Sequence, residues 1–113
     1  MAKGVLAQTI LTDDNEWQLV YSVPAGLFSS FTTLASNGHP NPVRLDLAVA
    51  NSSSNGFANS VSMRNMVDRD VVLDTDEVFE RNGLVLGPSE KLFMRVFPGG
   101  EVSVTVMGIE GTN

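Results

Sequence analysis

Apolar and polar residues alternate in short runs along most of this chain, which is the period-two pattern of a β-strand with one buried face. The most regular runs are residues 43–49, VRLDLAV, and residues 102–107, VSVTVM. No window sustains the 3.6-residue period of an amphipathic helix. We therefore predict an all-β protein in which four side chains of these two runs are buried: Leu45, Leu47, Val104 and Val106.

The segment WQLVYSVPAG, residues 17–26, contains the only Trp and the only Tyr of the chain and is predicted to organise the core. The side chains that an extended chain places on one side here are Trp17, Leu19, Tyr21 and Val23. Aromatic and β-branched residues favour strands, and Pro24 ends the run because proline cannot donate to a sheet ladder. We expect Trp17 and Tyr21 to lie in the core.

Further strands are predicted at residues 5–11, 27–35, 61–67, 71–73 and 91–97, separated by turn residues. The charged residues 68–70 are expected to split the third and fourth of these. Asn82-Gly83 is a strong hairpin signal between residues 78–81 and 84–86, although one strand with a bulge at Gly83 fits the same residues. Residues 98–100, PGG, predict a hairpin between the last two strands, and residues 36–42 and 51–56 are predicted loops.

About eight short strands with frequent turns indicate an antiparallel β-sandwich or a jelly-roll-like domain that spans residues 1–113 as a single unit. A closed small barrel is the alternative, and the spacing of the strands does not separate the two. The chain has 113 residues, of which 42% are apolar, and this composition is typical of a folded domain.

Charge and composition exclude several classes of function. A net charge of −6, with seven basic residues spread singly, argues against nucleic-acid binding. No run approaches the roughly 20 apolar residues of a membrane-spanning helix, and the N-terminal residues are too polar for a signal peptide. We expect a soluble protein without a membrane partner. The absence of Cys leaves no disulfide or zinc–thiolate site.

Candidate chemistry is sparse. The single histidine, His39, lies in a loop rich in turn residues, and no nucleophile or nucleotide-binding motif is present. We therefore expect no enzyme activity and no cofactor. The acidic residues Asp70, Asp74 and Asp76 could supply oxygen ligands to calcium, but the EF-hand pattern fails, and a solvated acidic loop is the favoured interpretation.

Two strands are predicted to carry large apolar groups on both sides. In KLFMRVF, Phe93 and Phe97 lie opposite Leu92, Met94 and Val96, and in LFSSFTTLA residues such as Phe28 and Leu34 lie opposite Phe31. A two-layer sandwich covers only one side of each sheet. We therefore predict an interface with other subunits, with these candidate residues: Phe93, Phe97, Phe28 and Leu34.

Four segments, WQLVYSVPAG, VRLDLAV, FERNGLVLGPSEKLFMRV and VSVTVMGIE, resemble small virion structural proteins of tailed bacteriophages, of the decoration or tail accessory type. These proteins commonly carry a VYTVPAG-like segment and a GLVL-like segment before a last Val-rich strand. Here Ser22 stands where such sequences often have Thr, and LASNGHPNP departs from the turn of that family. The resemblance implies a non-enzymatic β-sandwich, made in the host cytoplasm and located on the virion.

Two functional classes follow. The first is an assembly protein that forms a homo-oligomer, with a trimer favoured by the resemblance, and attaches to other virion proteins such as the major capsid protein or tail proteins. Residues 1–12 could act as an N-terminal clasp strand that pairs with a neighbour. The second is a receptor- or glycan-binding module of a tail fibre or baseplate, which the expected burial of Trp17 and Tyr21 makes the weaker alternative.

Overall fold

A computed structural model of the protein describes residues 3–12, 16–50, 66–98 and 101–112. The eight strands are β1 Lys3–Leu11, β2 Gln18–Ser22, β3 Phe28–Asn37, β4 Val43–Ala50, β5 Met66–Leu73, β6 Val78–Leu86, β7 Lys91–Phe97 and β8 Val102–Gly111. The predicted loop at 51–56 and most of the predicted strand at 61–67 lie outside the described residues. No helix that could cross a membrane occurs within the described ranges.

The strands form two four-stranded antiparallel sheets that pack against each other as a sandwich. Sheet A has the order β1-β8-β3-β6, and sheet B has the order β2-β7-β4-β5. The first strand pairs with the eighth, the second with the seventh, the third with the sixth and the fourth with the fifth. This is the strand order of a jelly roll, in which one long hairpin is wrapped into two layers. The predicted fold class is therefore confirmed.

The space between the sheets is filled by the apolar positions that the alternation marked. All four side chains predicted to be buried from the two regular runs are at most 1% exposed. Leu92, Met94 and Val96 of β7 join them, as does Phe31 of β3. The alternation of apolar and polar residues therefore determines which face of most strands is buried, because the opposite orientation would leave these apolar groups in water.

The alternation fails in β2. Leu19 pairs with Phe93 and Tyr21 pairs with Leu92, so Val20 is an extra residue that forms a β-bulge. Val20 and Tyr21 are consequently both buried, whereas Leu19 is exposed. The bulge also turns Trp17 to the outer side of sheet B. The prediction that Trp17 and Leu19 share the inner face with Tyr21 is wrong for this reason.

Bulges also change the interpretation of β5 and β6. Residues 66–73 form one strand, and the charged residues at 68–70 bulge within it instead of dividing it. Residues 78–86 likewise form one strand, with Asn82 and Gly83 bulged opposite Thr32. Gly83 takes a φ of 75° there, which favours glycine. The bulge alternative at Gly83 is confirmed, and the hairpin alternative is wrong.

The predicted hairpin of the last two strands is also wrong. β7 pairs with β2 and β4 in sheet B, and β8 pairs with β1 and β3 in sheet A. A local turn signal reports that the chain changes direction, but it does not report which strands it joins. In this fold β7 belongs to sheet B and the next strand, β8, belongs to sheet A.

Close contact between β8 and β3 requires a glycine at position 108. A Cβ at Gly108 would lie 2.1 Å from the carbonyl oxygen of Ser30 and 2.6 Å from the Cα of Phe31. Neither backbone atom can move away without disturbing the sheet. The absence of a side chain at Gly108 therefore lets the two central strands of sheet A approach each other.

One polar pair is buried at an end of the sandwich. The Tyr21 hydroxyl donates a hydrogen bond to Oε2 of Glu110, and the Tyr21 ring meets Phe31 edge to face with 5.4 Å between ring centroids. Burial, together with this hydrogen bond, raises the pKa of Tyr21 to about 12. The neutral phenol therefore ties sheet B to sheet A at this end.

Candidate functional site

The outer surface of sheet A, called here the A face, carries sixteen outward side chains in four rows. Across β1, β8, β3 and β6, the rows are Lys3, Ile109, Ser30 and Val85; Val5, Met107, Thr32 and Asn82; Gln8, Thr105, Leu34 and Glu80; and Ile10, Ser103, Ser36 and Val78. The strand register places each row side by side, and none of the sixteen is buried. No other described strand covers this face.

Apolar and hydroxyl groups make up most of the A face. Six of its large apolar side chains are more than 40% exposed: Val5, Ile10, Val78, Val85, Met107 and Ile109. Five serine and threonine side chains lie between them, together with two amides. The only charged groups among the sixteen are Lys3 and Glu80, so the face is nearly uncharged on a protein of net charge −6. An exposed apolar area of this extent is typical of an interaction surface.

A shallow open groove of about 660 Å³ crosses the A face diagonally. It begins at Lys3 on β1, passes Met107 and Thr32 in the centre, and ends at Glu80 on β6. Gly4 and Gly108 line the groove through their backbone atoms. The A face is therefore concave along this diagonal.

The outer surface of sheet B, called here the B face, is organised around a carboxylate. It comprises the outward side chains of β2, β7, β4 and β5. Oδ2 of Asp46 accepts a hydrogen bond from Nε of Arg95 and forms an ion pair with Nη2, both at 2.8 Å, and Oδ1 accepts a hydrogen bond from the backbone N–H of Asp70 at 2.7 Å. The Arg95 guanidinium also lies 4.5 Å from the centroid of the Trp17 ring. The central charges of this face, Asp46 and Arg95, are therefore paired within the chain.

The Asp46 carboxylate explains the bulge in β5. Two residues, Arg69 and Asp70, lie opposite Asp46, and Asp70 has a φ of 55°. Aspartate tolerates the left-handed region of φ, and the backbone N–H of Asp70 donates a hydrogen bond to the Asp46 carboxylate. The bulge turns the side chain of Asp70 towards Arg44, at 3.4 Å, on the exposed surface.

A small apolar cluster covers the remainder of the B face. Phe93 is 0% exposed there, packed with Ala48 and Ala50 and bordered by Trp17 and Met66. Phe97, two residues further along β7, is 50% exposed. The outward side of β7 is therefore covered by its own chain at one end and open at the other.

The four predicted interface residues divide between the two faces. Leu34 lies in the third row of the A face, and Phe28 lies on the same outward side at the start of β3; both are half-buried. Phe97 offers surface on the B face, whereas Phe93 offers none because the chain buries it. A role of Phe28, Leu34 and Phe97 in contacts between subunits stays a prediction.

The acidic residues of the predicted loop do not converge. Asp70 lies beside Arg44, and the backbone N–H of Asp74 is bound by the Glu77 carboxylate at 2.6 Å. Asp76 occupies a turn with a φ of 67°. Across the described parts of the chain, no three acidic or histidine side chains are grouped so that they could hold a metal ion. The structure thus gives Asp70, Asp74 and Asp76 no common site.

His39 belongs to a structural network. Its Nδ1 accepts a hydrogen bond from the N–H of Asn41, and its own N–H donates to Oδ1 of Asn37. The buried Asn37 amide in turn donates to the carbonyls of Asn41 and Leu73. These bonds fix the loop after β3 against the end of β5.

The predicted clasp segment pairs within its own chain. Residues 3–11 form β1, which is paired with β8 along its length, and Leu11 is fully buried. β1 is nevertheless an edge strand of sheet A, so its other side is open among the described residues. A clasp contact with a neighbour would use that open side or would require β1 to leave β8.

Sequence reasoning missed most of the A face. On β1 the outward residues are Lys3, Val5, Gln8 and Ile10, and a bulge at Leu6 breaks their period-two spacing. The apolar outward residues of β8, Met107 and Ile109, did carry a signal, since they lie opposite the buried valines of the same strand. In comparisons with known proteins, no family model and no curated protein matches the chain.

Proposed function

We propose that this protein is a non-enzymatic structural protein of a tailed-bacteriophage virion, which self-associates and attaches to the particle as a head decoration or tail component. The observation that carries the proposal is the A face, an exposed, nearly uncharged sheet surface with six large apolar groups. Such a surface favours stable protein contacts, because its burial removes apolar area from water without stranding charges.

Two further observations support this function. The phage-like segments quoted above cover most of the strands, from Trp17 to Glu110. Jelly rolls also occur in viral capsid proteins and in lectins, so the fold suits both assembly and glycan binding. Fold alone does not decide function, and the A face is therefore the stronger argument. The partners proposed are further copies of this chain and virion proteins such as the major capsid protein.

The proposal is tested on purified particles of the virus that encodes the chain. Quantitative mass spectrometry should find the protein at a fixed, high copy number per particle. A triple variant that charges the A face, V5K with V85K and I109K, should lose particle occupancy. Val72→Lys, at an exposed position of the B face, is the matched control and should retain it. Absence of the protein from intact particles would overturn the proposal.

The clasp hypothesis needs a different experiment, because deletion of residues 1–12 would also remove β1 from the fold. Gln8 and Thr105 face each other across β1 and β8, and the chain has no cysteine. The double variant Gln8→Cys/Thr105→Cys can therefore lock β1 to its own β8 by a disulfide. Assembly that is lost on oxidation and regained on reduction would support exchange of the strand. Equal assembly in both states would exclude it.

A glycan-binding module is the second candidate function. The observation in its favour is an open pocket on the B face that Phe97 lines together with polar groups such as Asp46 and Arg95. The Trp17 ring lies against Arg95, so it would report on a sugar bound there. Its test is tryptophan fluorescence of the isolated protein titrated with host-surface polysaccharide. A saturable change that Phe97→Ala removes would favour this function, whereas an unchanged spectrum would oppose it.

A further inference from the structure

We infer that two copies of this chain pair face to face through their A faces, about a two-fold axis that lies close to Met107 and sets Lys3 of each copy against Glu80 of the other. This inference rests on the self-association in the proposed function and deepens it by naming the contact and its symmetry, which is two-fold and differs from the trimer that the resemblance favours. The occupant of the groove is a second copy of the chain.

The charged groups of the A face match those of a second copy. Lys3 and Glu80 are opposite in sign and are the only charged groups of the A face, and neither has an ion-pair partner among the described residues. They lie at the two ends of the groove. Any two-fold operation that places Lys3 over Glu80 of a second copy also places Glu80 over its Lys3. The face is therefore complementary to itself.

The positions of the two charged residues determine the angle between the paired sheets. Lys3 and Glu80 are three strands apart, about 14 Å, and two rows apart, about 14 Å along the strands. The line that joins them therefore runs at about 45° to the strands, and the two-fold axis that exchanges them lies in the plane between the faces, perpendicular to this line. The strands of the two copies then cross at about 90°, which is one of the two angles at which sheets pack.

Met107 lies at the centre of the proposed contact. The midpoint between Lys3 and Glu80 falls between β8 and β3 at the row of Met107 and Thr32. Methionine is enriched in interfaces, where its flexible side chain adapts to the opposing surface. The two Met107 side chains would meet near the axis, with Val85 and Ile10 towards the rim.

The area of the A face suits a weak dimer. The sixteen side chains cover about 20 by 25 Å, so two faces that cross at about 90° overlap over about 20 by 20 Å and bury about 800 Å² in total. Such a value belongs to weak, transient interfaces. The B face is less suited, because its central charges Asp46 and Arg95 are already paired within the chain and Phe93 is covered.

Light scattering with size-exclusion chromatography, from about 1 to about 500 µM protein, measures the contact. We expect a species of twice the 12.1 kDa chain mass. Met107→Lys should give a monomer, and Val72→Lys, at an exposed position of the B face, should leave the dimer intact. Thermal unfolding of each variant confirms that it is folded. A wild-type monomer, a trimer, or a dimer that survives Met107→Lys would overturn the inference.

Charge exchange tests the proposed orientation. Lys3→Glu places two carboxylates against each other at both ends of the groove, and Glu80→Lys does the same with two ammonium groups; each should raise the dissociation constant about tenfold or more. The double variant Lys3→Glu/Glu80→Lys should return to within about threefold of wild type. Failure of the double variant to recover would overturn the two-fold arrangement.

Failure of this inference can be distinguished from failure of the proposed function. A dimer that is absent from particles would contradict only the virion role. A monomer that nevertheless occupies particles would contradict only the two-fold pairing, and the A face would then contact another virion protein directly. The particle measurement and the mass measurement therefore give separate answers.

Discussion

The two outer faces of the sandwich have the same backbone architecture but opposite chemistry. On the B face, Asp46, Arg95 and Trp17 bind one another, and Phe93 is buried beneath its own chain. On the A face, side chains such as Val85 and Met107 are open to solvent. The comparison teaches that apolar side chains on an outer sheet face can stabilise the subunit itself or remain available for another molecule. Only the neighbouring strands and segments decide between these outcomes.

The largest expected effect is loss of the cluster on the B face. Phe93→Ala should lower the free energy of unfolding by about 3–5 kcal/mol, because it removes a fully buried ring and leaves a cavity. Urea denaturation measures the change. Phe97→Ala is the matched control on the same strand and should cost less than about 1 kcal/mol. Equal losses for both would contradict the division of β7 into a covered and an open end.

Removal of the central carboxylate should have an intermediate effect. Asp46→Ala takes away the acceptor of Arg95 and of the Asp70 N–H, and we expect a loss of about 1–3 kcal/mol. Asp70→Asn removes the charge of the exposed pair with Arg44 but still tolerates the positive φ of this position, and it should change stability by less than about 1 kcal/mol. If Asp46→Ala proved as mild as Asp70→Asn, the B face would not be held together by this carboxylate.

Alkaline titration tests Tyr21, which lies between the two sheets, so substitutions on either outer face should not change the result. The pKa of Tyr21 rises from 10.0 to about 12 on folding, so the folded state keeps the phenol proton that the unfolded chain has lost. Stability is fully present below about pH 10 and falls as the pH rises towards 12. Denaturation between pH 9 and 12 should show this fall in wild type and in Phe97→Ala, and a smaller one in Tyr21→Phe. A fall of the same size in Tyr21→Phe would assign it to other groups.

The smallest expected effect belongs to the A face in the isolated subunit. Val85 is 66% exposed, so Val85→Thr should change the free energy of unfolding by no more than about 0.5 kcal/mol when measured on monomer. The same substitution should weaken self-association, because it introduces a hydroxyl into the apolar contact. A loss of stability above about 1 kcal/mol in the monomer would show that the A face already supports its own subunit.

The sequence predicted the strands and the inner face of most of them, because both depend on local alternation. Leu47 and Val104 need only their neighbours in the chain to be placed correctly. The bulges were harder to predict from the sequence, since the one at Asp70 depends on a carboxylate 24 residues away. Whether Phe93 or Phe97 is covered depends on the positions of Trp17 and Met66, and the alternation of residues along a strand does not contain this information.

The pairing of the last two strands could not be inferred for a related reason. A turn such as Pro98-Gly99-Gly100 is a local signal, whereas membership of a sheet is set by strands far away in the chain. The A face inherits this difficulty, because β1, β8, β3 and β6 are brought together from both ends of the sequence. Sites on the surface of a jelly roll are thus harder to predict than its core.

The central position of β8 in sheet A has a consequence for the order of events during synthesis. β8 follows the other seven strands in the chain, yet it lies between β1 and β3 and, among the described strands, is the one that joins them. A nascent chain that has not been translated past Gly111 contains all four strands of sheet B, but it has neither a complete sheet A nor an A face. Since contacts between distant segments form slowly, completion of the sandwich and recruitment through the A face would both wait until the ribosome has completed β8.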